Sequence, residues 1–296
     1  MIRSSLALAM IATLAACSPS DKPAASNEAA PQTTTAAAEP AISALDAAIA
    51  GSWRDPANAA RDSWRHPAQT LAFFGIAPDQ TVIEITPGGG WYTEILAPML
   101  RENGHYIAAV MDPESATSEG AKGYYAKQIE TLKAKLASAP EAYGAPEIRA
   151  FDLAKPVFGE PGSVDVVLTF RNVHNWQRSE TAELMFQGFY DVLKPGGTLG
   201  VVEHRANGDV AKGDSSGYVG QEQVIAMATA AGFALDEASE INANPADTKD
   251  HEAGVWSLPP VMRLGDKDRE KYAAIGESDR MTLRFHKHAA AAPAAQ

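Results

Sequence analysis

Short β-branched runs alternate with stretches of helical apolar spacing along most of this chain. Thr81-Val-Ile-Glu-Ile85 is the first such run, and Pro87-Gly-Gly-Gly90 follows it at once. From Trp91 to Leu100 the positions Ile95, Leu96, Met99 and Leu100 repeat with helical spacing. His105 to Val110 predicts a second strand ending at Asp112-Pro113, and Glu119 to Leu136 a helix stopped by Pro140. Glu147 to Phe151 is a weaker strand. Val164-Asp-Val-Val-Leu-Thr-Phe170 is the strongest buried-strand signal in the chain. Glu180 to Leu193 predicts a helix closed by Lys194-Pro-Gly-Gly197, with a strand from Thr198 to Glu203. Gln221 to Ala231 is helical, Ala234 to Ile241 extended, and Met281 to Lys287 a final alternating strand. Such alternation predicts an α/β fold, a doubly wound, mostly parallel seven-stranded sheet with helices on both faces and the last strand antiparallel. Sheets of this kind bind ligands at the carboxyl ends of their strands, where strand order reverses.

The ends of the chain follow another pattern. Met1-Ile-Arg-Ser-Ser carries one positive charge, and Leu6 to Ala16 is small and apolar, which predicts a secretory signal over residues 1–16. Leu14-Ala15-Ala16-Cys17 resembles the lipobox of bacterial lipoproteins. The resemblance implies cleavage before Cys17, the chain's one cysteine, and acylation of its sulfur. The protein would then sit on the periplasmic side of a bacterial cell-envelope membrane, held by lipid. Residues 17–42 are rich in Ala, Pro, Ser and Thr and predict a flexible tether, and 289–296 a frayed tail. The folded body is expected over 43–288.

Charge and composition narrow the chemistry. Lys and Arg number 25 against 37 Asp and Glu, a net charge of −12, which argues against a duplex nucleic-acid partner. One cysteine excludes an internal disulfide or a cysteine-based zinc site. His286-x-His288 is the sole metal-like histidine spacing, lies at a fraying end, and predicts no metal.

The turn after the first strand carries the ligand chemistry. Glycines there let a ligand approach the backbone closely. Counting Gly88, Gly90 and then Thr93 breaks the nicotinamide fingerprint, and no Gly-Lys-Ser/Thr ending makes a phosphate loop. Glu84-x-x-x-Gly88-x-Gly90 resembles motif I of the class I S-adenosylmethionine-dependent methyltransferases, with Thr86 where the first glycine usually stands. Val110-Met-Asp112, Phe151-Asp152-Leu153, Asp165 to Asn172, Leu193 to Glu203 and Ala230-Ala-Gly-Phe233 resemble later segments of that family in the same order. The nearest likeness is to exported bacterial proteins described only as predicted methyltransferases, which share Pro87-Gly-Gly-Gly-Trp-Tyr-Thr93 and Glu277 to Phe285.

The resemblance implies S-adenosylmethionine as cofactor, bound by Glu84, Pro87, Gly88, Gly89, Gly90, Asp112, Asp152, Leu153 and Asn172. Asp112 would accept the ribose hydroxyls, and the segment at Asp152 and Leu153 would meet the adenine. Glu84 would orient the turn or meet the cofactor's amino group; a turn-stabilising carboxylate is the competing reading, as a simple turn residue is for Asp112. His174, after the fourth strand, is the candidate general base. It could equally orient its loop or pack beside Trp176. The acceptor is a small molecule or a cell-envelope component. A non-catalytic lipoprotein holding a small molecule in the same fold is the alternative. Two additions, Ser52 to Thr70 and residues 242–280, are expected to cover the ligand crevice, the second as a long loop.

Overall fold

The computed structural model describes residues 43–288. The expected signal, tether and tail, and Cys17 with them, lie outside the described residues. No described helix is long and apolar enough to cross a membrane.

Seven strands form one sheet: β1 (Thr81–Ile85), β2 (His105–Met111), β3 (Glu147–Phe151), β4 (Val164–Phe170), β5 (Leu193–His204), β6 (Phe233–Ser239) and β7 (Arg280–Lys287). Their order is β3-β2-β1-β4-β5-β7-β6, and β7 runs antiparallel to both its neighbours. The chain winds outward from β1 through β2 to β3, then returns to place β4 on the other side. The switch point therefore lies between the carboxyl ends of β1 and β4.

Period-two alternation sends successive residues of a strand to opposite faces. Val82, Val166 and Leu168 join one core with Leu71, Phe74, Ile95 and Leu96, while Ile83, Ile85 and Val167 join the other with Trp176, Phe186 and Phe189. Burial on both faces makes β1 and β4 rich in Val, Ile and Leu, with Glu84 and Asp165 as the charged exceptions. Gly200 on β5 shows how tightly the first core is filled. A Cβ there would meet Leu168 Cδ2 at 2.7 Å and Phe74 Cγ at 2.8 Å. Gly200→Ala is expected to cost about 1–3 kcal/mol of overpacking, read by chemical denaturation.

The helices are α1 (Ala44–Ile49), α2 (Pro56–Ala59), α3 (Asp62–Arg65), α4 (Pro67–Phe73), α5 (Thr93–Leu100), α6 (Glu119–Ser138), α7 (Pro140–Tyr143), α8 (Val173–Arg178), α9 (Ala182–Val192), α10 (Gln221–Ala230) and α11 (Arg269–Ile275). Helices α1–α4 precede the sheet, and part-buried polar contacts tie their segment together and to α5. Arg54 pairs bidentately with Asp62 at 2.6 and 2.8 Å, and Trp53 Nε1 donates to the Glu94 carbonyl at 2.9 Å. The segment 242–280 is not the structureless loop expected from its sequence. It holds a 3-10 turn at Gly254–Ser257 and α11, anchored where Asn242, Asn244 and Asp247 are buried.

Candidate functional site

Two backbone kinks mark the switch point. Thr86 after β1 and Arg171 after β4 both lie in the left-handed region, at φ +49° and +62°. A β-branched residue there is strained, and such strain persists only where the surroundings hold it. Thr86 N donates to the Ala109 carbonyl at 2.8 Å and Arg171 N to Val202 at 2.7 Å, so each kink prolongs a sheet ladder before the chain turns away. Asn172 joins the two ends, its Nδ2 donating to the Ile85 carbonyl at 2.9 Å and to Thr169 Oγ1 at 3.2 Å.

A cavity of about 810 Å³ opens above these ends. Glu84, Thr86, Pro87, Gly88 and Gly89 form its wall on the β1 side. A Cβ on Gly88 or Gly89 would meet nothing within 4 Å, so space lies open against the backbone there. Thr86 Oγ1 is buried with no hydrogen-bond partner among the described residues. Val110, Met111 and Leu153 supply apolar surface, and Asn172 and His174 line the β4 side. Both additions reach the cavity, Asn58, Arg61 and Arg65 from the first and Trp256, Glu277 and Ser278 from the second.

Six of the nine residues expected to bind the cofactor thus line one cavity. Gly90, Asp112 and Asp152 are not on it. Gly90 lies beneath Lys135 at φ +75°. Asp112 caps a short 3-10 turn, its Oδ1 accepting from Glu114 N at 3.0 Å, and Asp152 accepts from Ala154 N at 2.8 Å.

Glu84 sits at the base of the wall, 2 % exposed. Burial pushes its carboxyl up to about 7, against the opposing pull of donors from Tyr106 (2.5 Å) and Thr93 (3.2 Å) and of the charge on Arg171. Thr93, which breaks the nicotinamide pattern, is therefore part of the cradle for Glu84.

The second polar centre was only half legible. His174 Nδ1 lies 3.0 Å from Glu203 Oε1, whose side chain is fully buried at the end of β5. Glu203 also accepts from the backbone N–H of His174 (3.2 Å) and of His204 (2.7 Å). A carboxylate can only accept, so Nδ1 of His174 donates in this contact and Nε2 is the ring nitrogen that Glu203 leaves free. His204 stands beside it, with ring centroids 5.5 Å apart and its Nδ1 2.6 Å from Ser278 Oγ. Burial, then the neighbouring His174 and Arg171, hold His204 well below the ordinary imidazole range, so it is neutral at physiological pH. Ligand atoms of His174, Glu203 and His204 lie within 4.8 Å of one another, a grouping that sequence spacing did not reveal. The three N–H donors already occupying Glu203 favour a hydrogen-bonded relay over a cation site.

No protein-family model matches the chain, and no curated protein matches it. Solved structures do. The cyclase SpnF shares 16% identity over 82% of this chain and 85% of its own, with a TM-score of 0.53. A methyltransferase described as S-adenosylmethionine-dependent from Aquifex aeolicus shares 15% identity over 78% of this chain and 93% of its own, at TM-score 0.49. Another from Mesorhizobium loti shares 12% over 76% and 99%, at 0.47. The likeness to SpnF shows a common fold. Two of these three neighbours are described as S-adenosylmethionine-dependent methyltransferases, and one as a cyclase.

Proposed function

We propose that the chain is an S-adenosylmethionine-dependent methyltransferase held on the periplasmic side of the cell-envelope membrane by lipid on Cys17. Its acceptor is a small molecule or an envelope component. The observation that carries this reading is the open space against Gly88 and Gly89, within a cavity at the switch point of the sheet. Substitution by any larger residue would fill that space, and the apolar surface of Met111 and Leu153 suits an adenine ring.

Bound there, S-adenosylmethionine supplies a sulfonium-activated methyl group for in-line transfer. Gly88 and Gly89 let the amino-acid end lie against the backbone, and Glu84 faces its ammonium. Orientation in the cavity provides most of the acceleration. Where the acceptor is an O–H or N–H group, His174 Nε2 takes its proton while Glu203 holds the opposite ring nitrogen.

One observation favours the alternative, a non-catalytic small-molecule-binding lipoprotein of the same fold. The carboxylate of Asp112 is engaged by Glu114 N and stands off the cavity wall, so a ribose diol gains nothing from it without a rotation. Calorimetric titration of the purified full-length chain with S-adenosylhomocysteine and NAD separates the readings. Saturable binding of the first alone, with methyl transfer from S-adenosylmethionine into an envelope extract, supports the enzyme, and binding without transfer supports the alternative.

Glu84 makes that titration pH-dependent. Its raised folded value means that stability present below about pH 4.5 is lost as pH rises through about 7, because an uncompensated buried carboxylate forms. A ligand ammonium compensates it. S-Adenosylhomocysteine affinity is therefore expected to rise roughly tenfold between about pH 6 and pH 8, and Glu84→Gln to flatten the profile. An equally steep rise in the glutamine variant would assign the proton elsewhere.

A further inference from the structure

We propose that the cavity end walled by Arg61, Arg65 and Arg171 binds an oxyanion, carboxylate or phosphate, carried by the methyl acceptor. The inference rests on the methyltransferase reading and adds the acceptor's chemical class to it.

Four guanidinium groups stand near one carboxylate, and three of them touch it. Glu277 Oε1 accepts from Arg61 Nε at 2.6 Å, and its Oε2 lies 3.3 Å from Arg65 Nε and 3.2 Å from Arg280 Nη1. Arg280 spends its other nitrogens on the carbonyls of Ser278 and Trp64. The remaining three cations are not so satisfied. Arg61 Nη2 and Arg65 Nη1 are buried without a hydrogen-bond partner among the described residues. The Arg171 side chain makes no hydrogen bond or ion pair among those residues, although burial and the charge on Arg280 push its guanidinium down to about 10. It stays protonated at neutral pH. Buried charged donors left unmade are costly, and native structures rarely keep them without a role.

All three line the cavity, beside His174 and Trp256. The Arg65 plane is fixed in part by packing, its guanidinium lying 4.8 Å from the centre of the Trp91 ring. Forked donors held in this way suit the paired oxygens of a carboxylate or phosphate.

Charge balance assigns the anion to the acceptor. Four arginines and Glu277 leave a local excess of about three positive charges by simple count. S-Adenosylmethionine bears a sulfonium and a zwitterionic end, so it is itself a net cation and cannot neutralise that excess. Glu84 meets its ammonium, leaving one carboxylate for three arginines. A second, anionic molecule is required for the cavity to be filled without strong repulsion.

The test is calorimetry on the purified full-length chain, with and without S-adenosylhomocysteine, using benzoate, phenyl phosphate and neutral benzamide as probes. One of the two anions should bind saturably and benzamide should not; whichever anion binds tighter identifies the headgroup. Arg171→Met should weaken the anion at least about tenfold and S-adenosylhomocysteine less than about twofold. Arg61→Gln repeats the measurement should the first variant melt early. S-Adenosylhomocysteine should lose no more in either variant than methylthioadenosine, which lacks the amino-acid carboxylate. Anion binding that is absent from the wild type or unchanged in both variants overturns the proposal. So does S-adenosylhomocysteine affinity that falls in parallel with the anion's, since the wall would then hold the cofactor. A wild type that binds the anion but never S-adenosylhomocysteine sinks the methyltransferase reading alone.

Discussion

Glu277→Gln is expected to lower the stability of the fold by about 3–5 kcal/mol, the range for stripping the partner from a buried charge. Among the described residues the carboxylate is the sole anion touching Arg61, Arg65 and Arg280, which come from a short N-terminal helical segment and from β7. Burial alone would raise its pKa, but Arg65 and Arg280, followed by Arg61, overcome this and hold it down at about 2. A fall from 4.5 to about 2 corresponds to roughly 3 kcal/mol, of the same order as the mutational figure. Since the folded value is depressed, this stability is present above about pH 4.5 and lost as pH falls toward 2. Glutamine keeps the shape and removes the charge, leaving buried guanidiniums that repel one another. The melting temperature should drop by roughly 10 °C at neutral pH, with the deficit shrinking in acid as the wild type loses the same charge. A variant that melts with the wild type would mean that the arginines are compensated by something other than Glu277.

What the sequence revealed depended on how each residue earns its place. Strands β1 and β4 were legible because burial on both faces leaves short runs dominated by Val, Ile and Leu, and the Pro87-Gly-Gly-Gly90 turn because glycine has few other reasons to repeat there. Helices α2 and α3 are four residues each, too short for any periodicity to register, and they hold through Arg54–Asp62 and Trp53–Glu94 contacts that only the fold brings together. Asp112 shows the opposite limit. A carboxylate at a strand end before proline suits a ribose or a turn equally well, and here its Oδ1 is bonded to the turn. Glu203 was read as the last residue of a strand. The signal that could have singled it out was an acid closing an otherwise apolar run, immediately before a histidine.

The pairing of that acid with His174 leads to the largest expected loss of activity. His174→Gly should reduce methyl transfer by about a hundredfold or more while leaving donor affinity nearly intact, the effect of removing a general base rather than a binding group. Glu203→Gln should reduce transfer by a similar order through a different route. The amide cannot accept from all three N–H groups that now converge on the carboxylate, so its own N–H₂ must face one of them and the imidazole loses its fixed tautomer. Glu203 is thus a positioning residue, and a second readout tells it from the base. Imidazole added to the buffer should restore part of the activity of His174→Gly, where a space is left, and none to Glu203→Gln, where the ring remains but points wrongly. Full activity in His174→Gly at every pH would leave orientation alone to account for transfer and would reduce the histidine–glutamate pair to a prop for the loop after β4.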